Sequence, residues 1–565
     1  MKMKKVLLLF LFLNAIINLF AQDNSNFQKK WEKWEQHPQY TFSQIVPYTT
    51  SSIPNITLLK TRGNMKAIIG RSFPMFHLKQ DSLSIFIKIK YKTLCCKSLS
   101  LTIHSIDEKA AVIEADTMYL PLYENWSEQV FSLTIKPRFS LECSLEAEGL
   151  RKETNGDIFI ADLSITSDGR SLDFGNMDNY THVISKSTVK NMDSLLNSSL
   201  MDKKILALGE TIHGTQTLND LALELIKERI QHHHCRLVVL ELPLSMSLYL
   251  NRYVKNDQRY NIETIQKFVE PYSSFNLIPL LQWLKEYNIK HNNEITLLGV
   301  DGEAYSILGK VNLYKYIDAV NSEGLLDTFC YDMLFSKDSV YFDPHIVNNL
   351  FSDKESHLLQ CCIYNMKKYQ ISRQQFEHRD EIMSEMMQIL CDMYLDSITT
   401  ATFYGHYMHA NYVMSSCISF IHNSPSMGAF LRKKYQEDYS CLSLSVGEGE
   451  AWYITDKNER KVFPMEKAPH NSLEHGVYNN ENDSIGFISM TNLYNNDVFQ
   501  IRMSSALWSP YQFSFCLPSV YMDGILIVKK ACKIEKRDET FRKREYHLNR
   551  EWIEILKKTQ NQQNK

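Results

Sequence analysis

The sequence predicts two folded units of different class: an all-β sandwich, followed by an α/β domain built on a three-layer, mostly parallel sheet. Three observations carry this. Up to about Ser171 the apolar residues alternate with period two, the mark of half-buried strands. After the polar stretch from Ser167 to Asn179, short apolar runs alternate with longer amphipathic ones, as strands alternate with helices. At 565 residues the chain also exceeds the roughly 250–300 at which one core stops growing.

The composition sets limits on function. A hydrophobic share of 44% against 22% charged residues is that of a folded chain rather than a disordered one. With a net charge of −3 and scattered basic residues, the chain has no footprint for a phosphate backbone, so nucleic acid is not an expected partner.

Residues 1–21 place Lys2, Lys4 and Lys5 before an apolar run that ends at Ala21, the layout of a secretory signal peptide. Read as a retained anchor, the run is short for a bilayer span and carries Asn14 and Asn18. Cleavage after Ala21 and a secreted or periplasmic location are expected. No Cys follows the run to take a lipid, and no later segment is apolar for long enough to span a membrane. The 12 Cys have neither regular spacing nor C-x-x-C pairs. Most read as small core residues, with one or two disulfides left open.

Residues 22–178 form the predicted sandwich. Leu83, Ile85, Ile87 and Ile89 share one face of a strand, with Ser84, Lys88 and Lys90 on the other. Further strands are read at Leu99–His104, Gln129–Ile135, Leu141–Ala147 and Asp157–Ile165, with polar turns between them. Gly156–Ile165 resembles the last strand of galactose-binding-like jelly rolls found in carbohydrate-binding modules. That resemblance implies a glycan partner; a spacer domain without ligand is the other reading.

Residues 179–535 form the predicted α/β domain. Strands are read at Ile205–Leu208, Leu237–Leu240, Ile295–Val300, Thr399–Tyr404 and Leu442–Val446. Helices are read at Thr217–Gln231, Ile278–Asn288, Pro344–Tyr369, Ser372–Tyr394 and His409–Ile421. Beyond Gly486, strands return at Tyr511–Phe515 and Gly524–Val528, and residues 536–565 read as a charged tail that frays at its end.

In open α/β sheets, functional groups gather beyond the carboxyl ends of the strands. Four strand ends here carry polar groups: Glu210 and His213, then Glu241, then Asp301, then His406 and His409. One strand-end carboxylate reads as a helix cap. At four strand ends together, carboxylates that burial would penalise and histidines that can partner them point to one shared site. The same residues offer enough nitrogen and oxygen ligands for zinc, although no H-E-x-x-H helix presents them, and no cofactor is expected.

Leu208-Gly209-Glu210-Thr211-Ile212-His213-Gly214-Thr215 resembles the L-G-E-x-x-H-G-[ST] signature of the erythromycin esterase family. Further segments follow in that family's order. Glu241 holds its strand-end position and Asn251-Arg252-Tyr253-Val254 resembles its next helix. Trp283 to Asn288 resembles W-[LM]-[RK]-x-Y-N, and Gly299-Val300-Asp301 resembles G-x-D. Arg379-Asp380-Glu381-Ile382-Met383 matches R-D-x-x-M, His406 and His409 match the histidines of H-N-x-H, and Met427-Gly428 with Leu431 resembles M-G-x-x-L. The resemblance spans Val183 to Ser489.

What it implies is a carboxylic ester hydrolase that cleaves an ester or lactone, with macrolide-like rings as the family's precedent, by His-assisted attack of water. His213 would be the general base, and Glu210 and Glu241 its supporting carboxylates. His406, His409 and Asp301 would face the substrate, polarising its carbonyl or steadying the developing oxyanion. No G-x-S-x-G elbow stands at a suitable strand end, which argues against an acyl-serine route. Two further readings stay open: a binding protein of the same fold with weakened turnover, and a metal-dependent hydrolase. The chain also departs from the family. Thr217 and Ala222 stand where a Glu and an Arg are usual, and Tyr407 replaces the Asn of H-N-x-H, changes that bear on how substrate is positioned.

Overall fold

The computed structural model describes residues 32–33, 44–48, 56–74, 82–106, 112–136, 140–167, 170–171, 177–188, 196, 198–269, 275–302, 306–321, 324–335, 350–371, 378–413, 425–455, 459–479, 484–493, 499–504, 512–535 and 544–563. The expected signal segment, residues 1–21, lies outside them. The chain divides into two compact units, Met1–Phe174 and Gly175–Lys565.

The first unit is built from two antiparallel sheets. Its strands are β1 (Glu32–Lys33), β2 (Gln44–Tyr48), β3 (Ile56–Lys60), β4 (Lys66–Pro74), β5 (Leu83–Leu94), β6 (Cys96–Ile106), β7 (Val112–Tyr119), β8 (Ser127–Ile135), β9 (Ser140–Gly149), β10 (Asp157–Ser167) and β11 (Arg170–Ser171). One sheet runs β1-β4-β9-β6-β7 and the other β2-β3-β10-β5-β8. Alternation puts every second residue of β5 inward, so Leu83, Ile85, Ile87 and Ile89 are buried as expected. They share one core with Ile69 of β4, Leu101 of β6 and Leu145 of β9, so both sheets contribute to a single apolar interior.

The second unit mixes helix and strand. Its strands are β12 (Ser185–Thr188), β13 (Ile205–Glu210), β14 (Cys235–Pro243), β15 (Thr296–Asp301), β16 (Thr400–His406), β17 (Tyr439–Ile454), β18 (Arg460–Met465), β19 (Ser484–Ser489), β20 (Phe499–Arg502), β21 (Phe513–Cys516) and β22 (Gly524–Ala531). A 9-stranded sheet runs β12-β19-β22-β17-β13-β16-β14-β15, with β18 on β17. From β22 to β15 the pairings are parallel, and β19, β12 and β18 join antiparallel. The central strands β13 and β16 and the edge strand β15 are buried throughout, which is why they read as continuous apolar runs.

The helices that frame the sheet include α1 (Ser198–Met201), α2 (Gln216–His232), α3 (Leu244–Val254), α4 (Ile262–Val269), α5 (Ile278–Lys290), α6 (Ser306–Asp318), α7 (Asp327–Phe335), α8 (Asp353–Ile371), α9 (Arg379–Tyr394), α10 (Tyr407–Ala410), α11 (Met427–Tyr435), α12 (Pro518–Tyr521) and α13 (Arg544–Gln563). Two expectations are corrected. The helix read at His409–Ile421 is a single turn, α10, that starts earlier. His406 Nδ1 caps its start by accepting from Met408 N–H, and Asn411 turns extended and donates to the Tyr407 and Met408 carbonyls. Residues 414–424 lie outside the described part. The tail expected to fray forms α13, because Ile555 and Thr559 are buried while Lys558 pairs with Asp318 and Glu551 with Lys315 of α6.

Among the described residues no helix is long and apolar enough to cross a membrane. The described cysteines are free thiols, buried except for Cys95 and Cys532, in keeping with small core residues.

Candidate active site at the carboxyl ends of the strands

Parallel pairing brings the predicted strand ends side by side. Glu210 lies opposite His406 in the β13/β16 register, while Leu240 pairs with both Tyr404 of β16 and Gly299 of β15, so Glu241 and Asp301 follow on the same edge. Two glycines make room. Gly214 has φ +80°, and a Cβ there would meet the Trp452 carbonyl at 2.5 Å, so the tight turn after β13 needs glycine. At Gly405 a Cβ would lie 2.7 Å from Glu241 Cβ. Glycine lets the Glu241 side chain rest against β16.

The turn folds His213 back over Glu210, with Nδ1 2.6 Å from Oε1. Glu210 is fully buried, and its second oxygen accepts the Tyr404 hydroxyl at 2.5 Å. Asn219 of α2 donates to that hydroxyl oxygen at 3.0 Å, so a chain of hydrogen bonds runs Asn219, Tyr404, Glu210, His213. Burial raises the Glu210 carboxyl, against the pull of His213 and Tyr404. Burial alone would lower His213, but the bond to Glu210 and the charges of Glu241 and Glu210 outweigh it, and the imidazole is raised. A carboxylate oxygen accepts, so Nδ1 carries the hydrogen and Nε2 is left as the basic atom.

His213 Nε2 faces Glu241 Oε2 at 3.9 Å, beyond direct hydrogen bonding. The His213 side chain is 11% exposed. Its ring lies 4.7 Å from His406 and edge-on to Phe275 at 5.4 Å.

Glu241 is the hub of a charged network. Oε2 accepts the His406 backbone N–H at 2.6 Å, while Oε1 lies 2.9 Å from Arg379 and 3.3 Å from His409 Nε2. Burial would raise this carboxyl, but His409, His213 and Arg379 hold it well below the usual range. Arg379, the first residue of α9, also grips Asp301 through Nε and Nη2, each at 2.8 Å. Its neighbour Asp380 accepts from His409 Nδ1 at 2.8 Å and from the Met427 N–H at 2.7 Å. Burial opposes charge on His409, yet Asp380 and Glu241 overcome it and raise the ring to about 10. At neutral pH it is a fixed cation.

The structure therefore brings Glu210, His213, Glu241, Asp301, His406 and His409 to one edge of the sheet. Their arrangement differs from the expected one in one respect. His406 Nε2 lies 3.1 Å from the Ser504 carbonyl while Nδ1 accepts from Met408, and burial together with His213 lowers the ring to about 3. His409 spends both nitrogens on Asp380 and Glu241, and Asp301 is spent on Arg379. The polar atoms of these three residues are thus engaged by neighbours, and His213 Nε2 is the imidazole atom of the set that is not in a direct hydrogen bond among the described residues.

Arg379, Asp380, Tyr404 and Asn219 carry the network and were not singled out as site residues from sequence. The pair Arg379-Asp380 was legible as a motif, whereas Tyr404 read as one more apolar strand residue. The three departures lie in ordinary packing: Thr217 accepts from the Cys532 N–H at 2.9 Å, and Ala222 and Tyr407 are buried.

No family model and no curated protein matches this sequence. Among solved structures the chain is similar to a protein from Bacillus cereus, at 17% identity and TM-score 0.47 over 61% of this chain and 92% of that one. It is similar to a point mutant of the erythromycin esterase EreC in its open conformation, at 14% identity and TM-score 0.46 over 63% of this chain and 100% of that one. It is also similar to the xylan-binding module CBM22-1 of Paenibacillus barcinonensis Xyn10C, at 10% identity and TM-score 0.20 over 26% of this chain and 90% of that one.

Proposed function

We propose that the chain is a hydrolase of carboxylic esters or lactones in which His213 activates water. The observation that carries the reading is the buried Glu210–His213 pair, 2.6 Å apart, which aims Nε2 at a gap of 3.9 Å before Glu241. A water in that gap could donate to both acceptors. On attack, one water proton moves to His213 Nε2 and the hydroxide oxygen bonds the carbonyl carbon. The C–O bond to the alkoxide then breaks, and Nε2 returns its proton to the leaving oxygen, giving acid and alcohol.

The supporting roles follow from the contacts. Glu210 fixes the tautomer and stabilises the imidazolium that forms, and Tyr404 positions Glu210. Arg379 and His409 keep Glu241 ionised. No metal is required in this reading, and a chelator should leave turnover intact.

We take the α/β unit as a three-layer fold and the sandwich as a jelly roll with a glycan as its candidate ligand, the latter supported by Gly156–Ile165. Export is supported by Lys2, Lys4 and Lys5 ahead of the apolar run, and N-terminal sequencing of secreted protein tests it.

The function is tested by incubating the purified chain with p-nitrophenyl esters, simple lactones and large-ring macrolides, beside His213→Ala and a chelator-treated sample. Turnover that vanishes with His213 and survives chelation supports the proposal. Inactivity of a folded protein on all three classes favours the ligand-binding alternative.

A further inference from the structure

Outside the strand-end cluster, one group of side chains among the described residues converges with metal-ligand spacing. Asp178 stands in the 3-10 turn Met177–Val183, His470 precedes the turn Leu473–Asn479, and His475 lies within it. Asp178 Oδ2 is 2.9 Å from His470 Nδ1, and its Oδ1 is 3.3 Å from His475 Nε2. The rings lie 4.1 Å apart, and the three ligand atoms fall within 4.8 Å of one another.

The Nδ1 of His475 lies 3.3 Å from the Ala468 carbonyl, which fixes the ring with Nε2 turned toward Asp178. A backbone carbonyl on the far nitrogen is how metal-binding imidazoles are commonly oriented. The His475 side chain is 11% exposed and so held in place, whereas Asp178 and His470, at 46% and 65%, lie at the surface, where an ion can reach them.

We propose that Asp178, His470 and His475 bind a divalent cation of the zinc class. Two imidazole nitrogens with one carboxylate oxygen suit zinc over magnesium or calcium, which prefer all-oxygen shells, and water completes the tetrahedron. Asp178 and His470 are 292 residues apart in sequence, so the set exists only in the folded chain, and the bound ion stabilises the fold by mass action.

The test uses the full chain without a polyhistidine tag, stripped with chelator and titrated with Zn²⁺ against a chromophoric chelator, with thermal unfolding followed in parallel. One equivalent is expected to bind, and Tm to rise by a few degrees with Zn²⁺ but not with Mg²⁺. His470→Ala removes an exposed side chain and should weaken binding by about 100-fold or more, at least the loss that second-shell changes can produce. Asp178→Asn should do the same, while His213→Ala should keep the equivalent. Absence of saturable binding in the native chain, or full retention of zinc by His470→Ala, overturns the assignment.

Discussion

Tyr404 donates its hydroxyl hydrogen to Glu210 Oε2 at 2.5 Å, on the carboxylate oxygen that His213 leaves unused. Both oxygens of a fully buried carboxylate are thereby satisfied, which lets it carry charge at the end of an apolar strand. Tyr404→Phe keeps the ring and removes the donor. Turnover of the best ester is expected to fall about tenfold, and unfolding free energy by about 1–2 kcal/mol, because Asn219 also loses its partner. Steady-state kinetics and denaturant unfolding of the same preparation check both.

Glu210→Gln changes the charge but not the size of the residue that holds His213. The amide cannot stabilise an imidazolium and can present its NH₂ to Nδ1, which would move the hydrogen to Nε2 and remove the base. A fall in kcat of about 10²–10⁴ is expected with KM little changed, the range for loss of acid–base assistance.

Arg379 bridges Asp301 and Glu241, so Arg379→Ala leaves two covered carboxylates without their shared cation. A loss of about 2–4 kcal/mol is expected, somewhat under the cost of breaking a fully buried pair because the Arg379 side chain is 25% exposed. Urea unfolding at neutral pH measures it.

His409 and Glu241 contribute opposite slopes to the pH dependence of stability. His409 is raised from 6.5 to about 10, so its contribution is complete below about pH 6.5 and is lost as pH climbs toward 10. Glu241 is held below 4.5, so its contribution is complete above that value and is lost as pH falls further. His409→Asn should flatten the alkaline slope between pH 6.5 and 10 by a few kcal/mol relative to the native chain and leave an acid slope, as chemical denaturation across pH would report.

Much of the site was legible because buried parallel strands advertise their ends. An apolar run that stops at Glu210, Glu241, Asp301 or His406 marks a carboxyl edge, and parallel pairing aligns those edges. What pairs across the edge was less visible. The Arg379–Asp301 contact joins residues 78 apart, and the Ser504 carbonyl that engages His406 lies 98 residues beyond it. Residue type could not say that His406 and His409 face inward to neighbours. Tyr404 went unassigned because an aromatic in a buried strand reads as core. In the sandwich, period-two alternation was sufficient for the inward face of β5, since one sheet face decides which residues are buried.

In the proposed mechanism His213 Nε2 takes the proton from the attacking water. Its most direct test is the rate of ester hydrolysis by His213→Gly, measured with increasing free imidazole at fixed pH and beside the Glu210→Gln chain. Near-complete loss of turnover is expected in His213→Gly, with a saturable recovery by imidazole that Glu210→Gln does not share. Turnover that survives in His213→Gly without imidazole would contradict it.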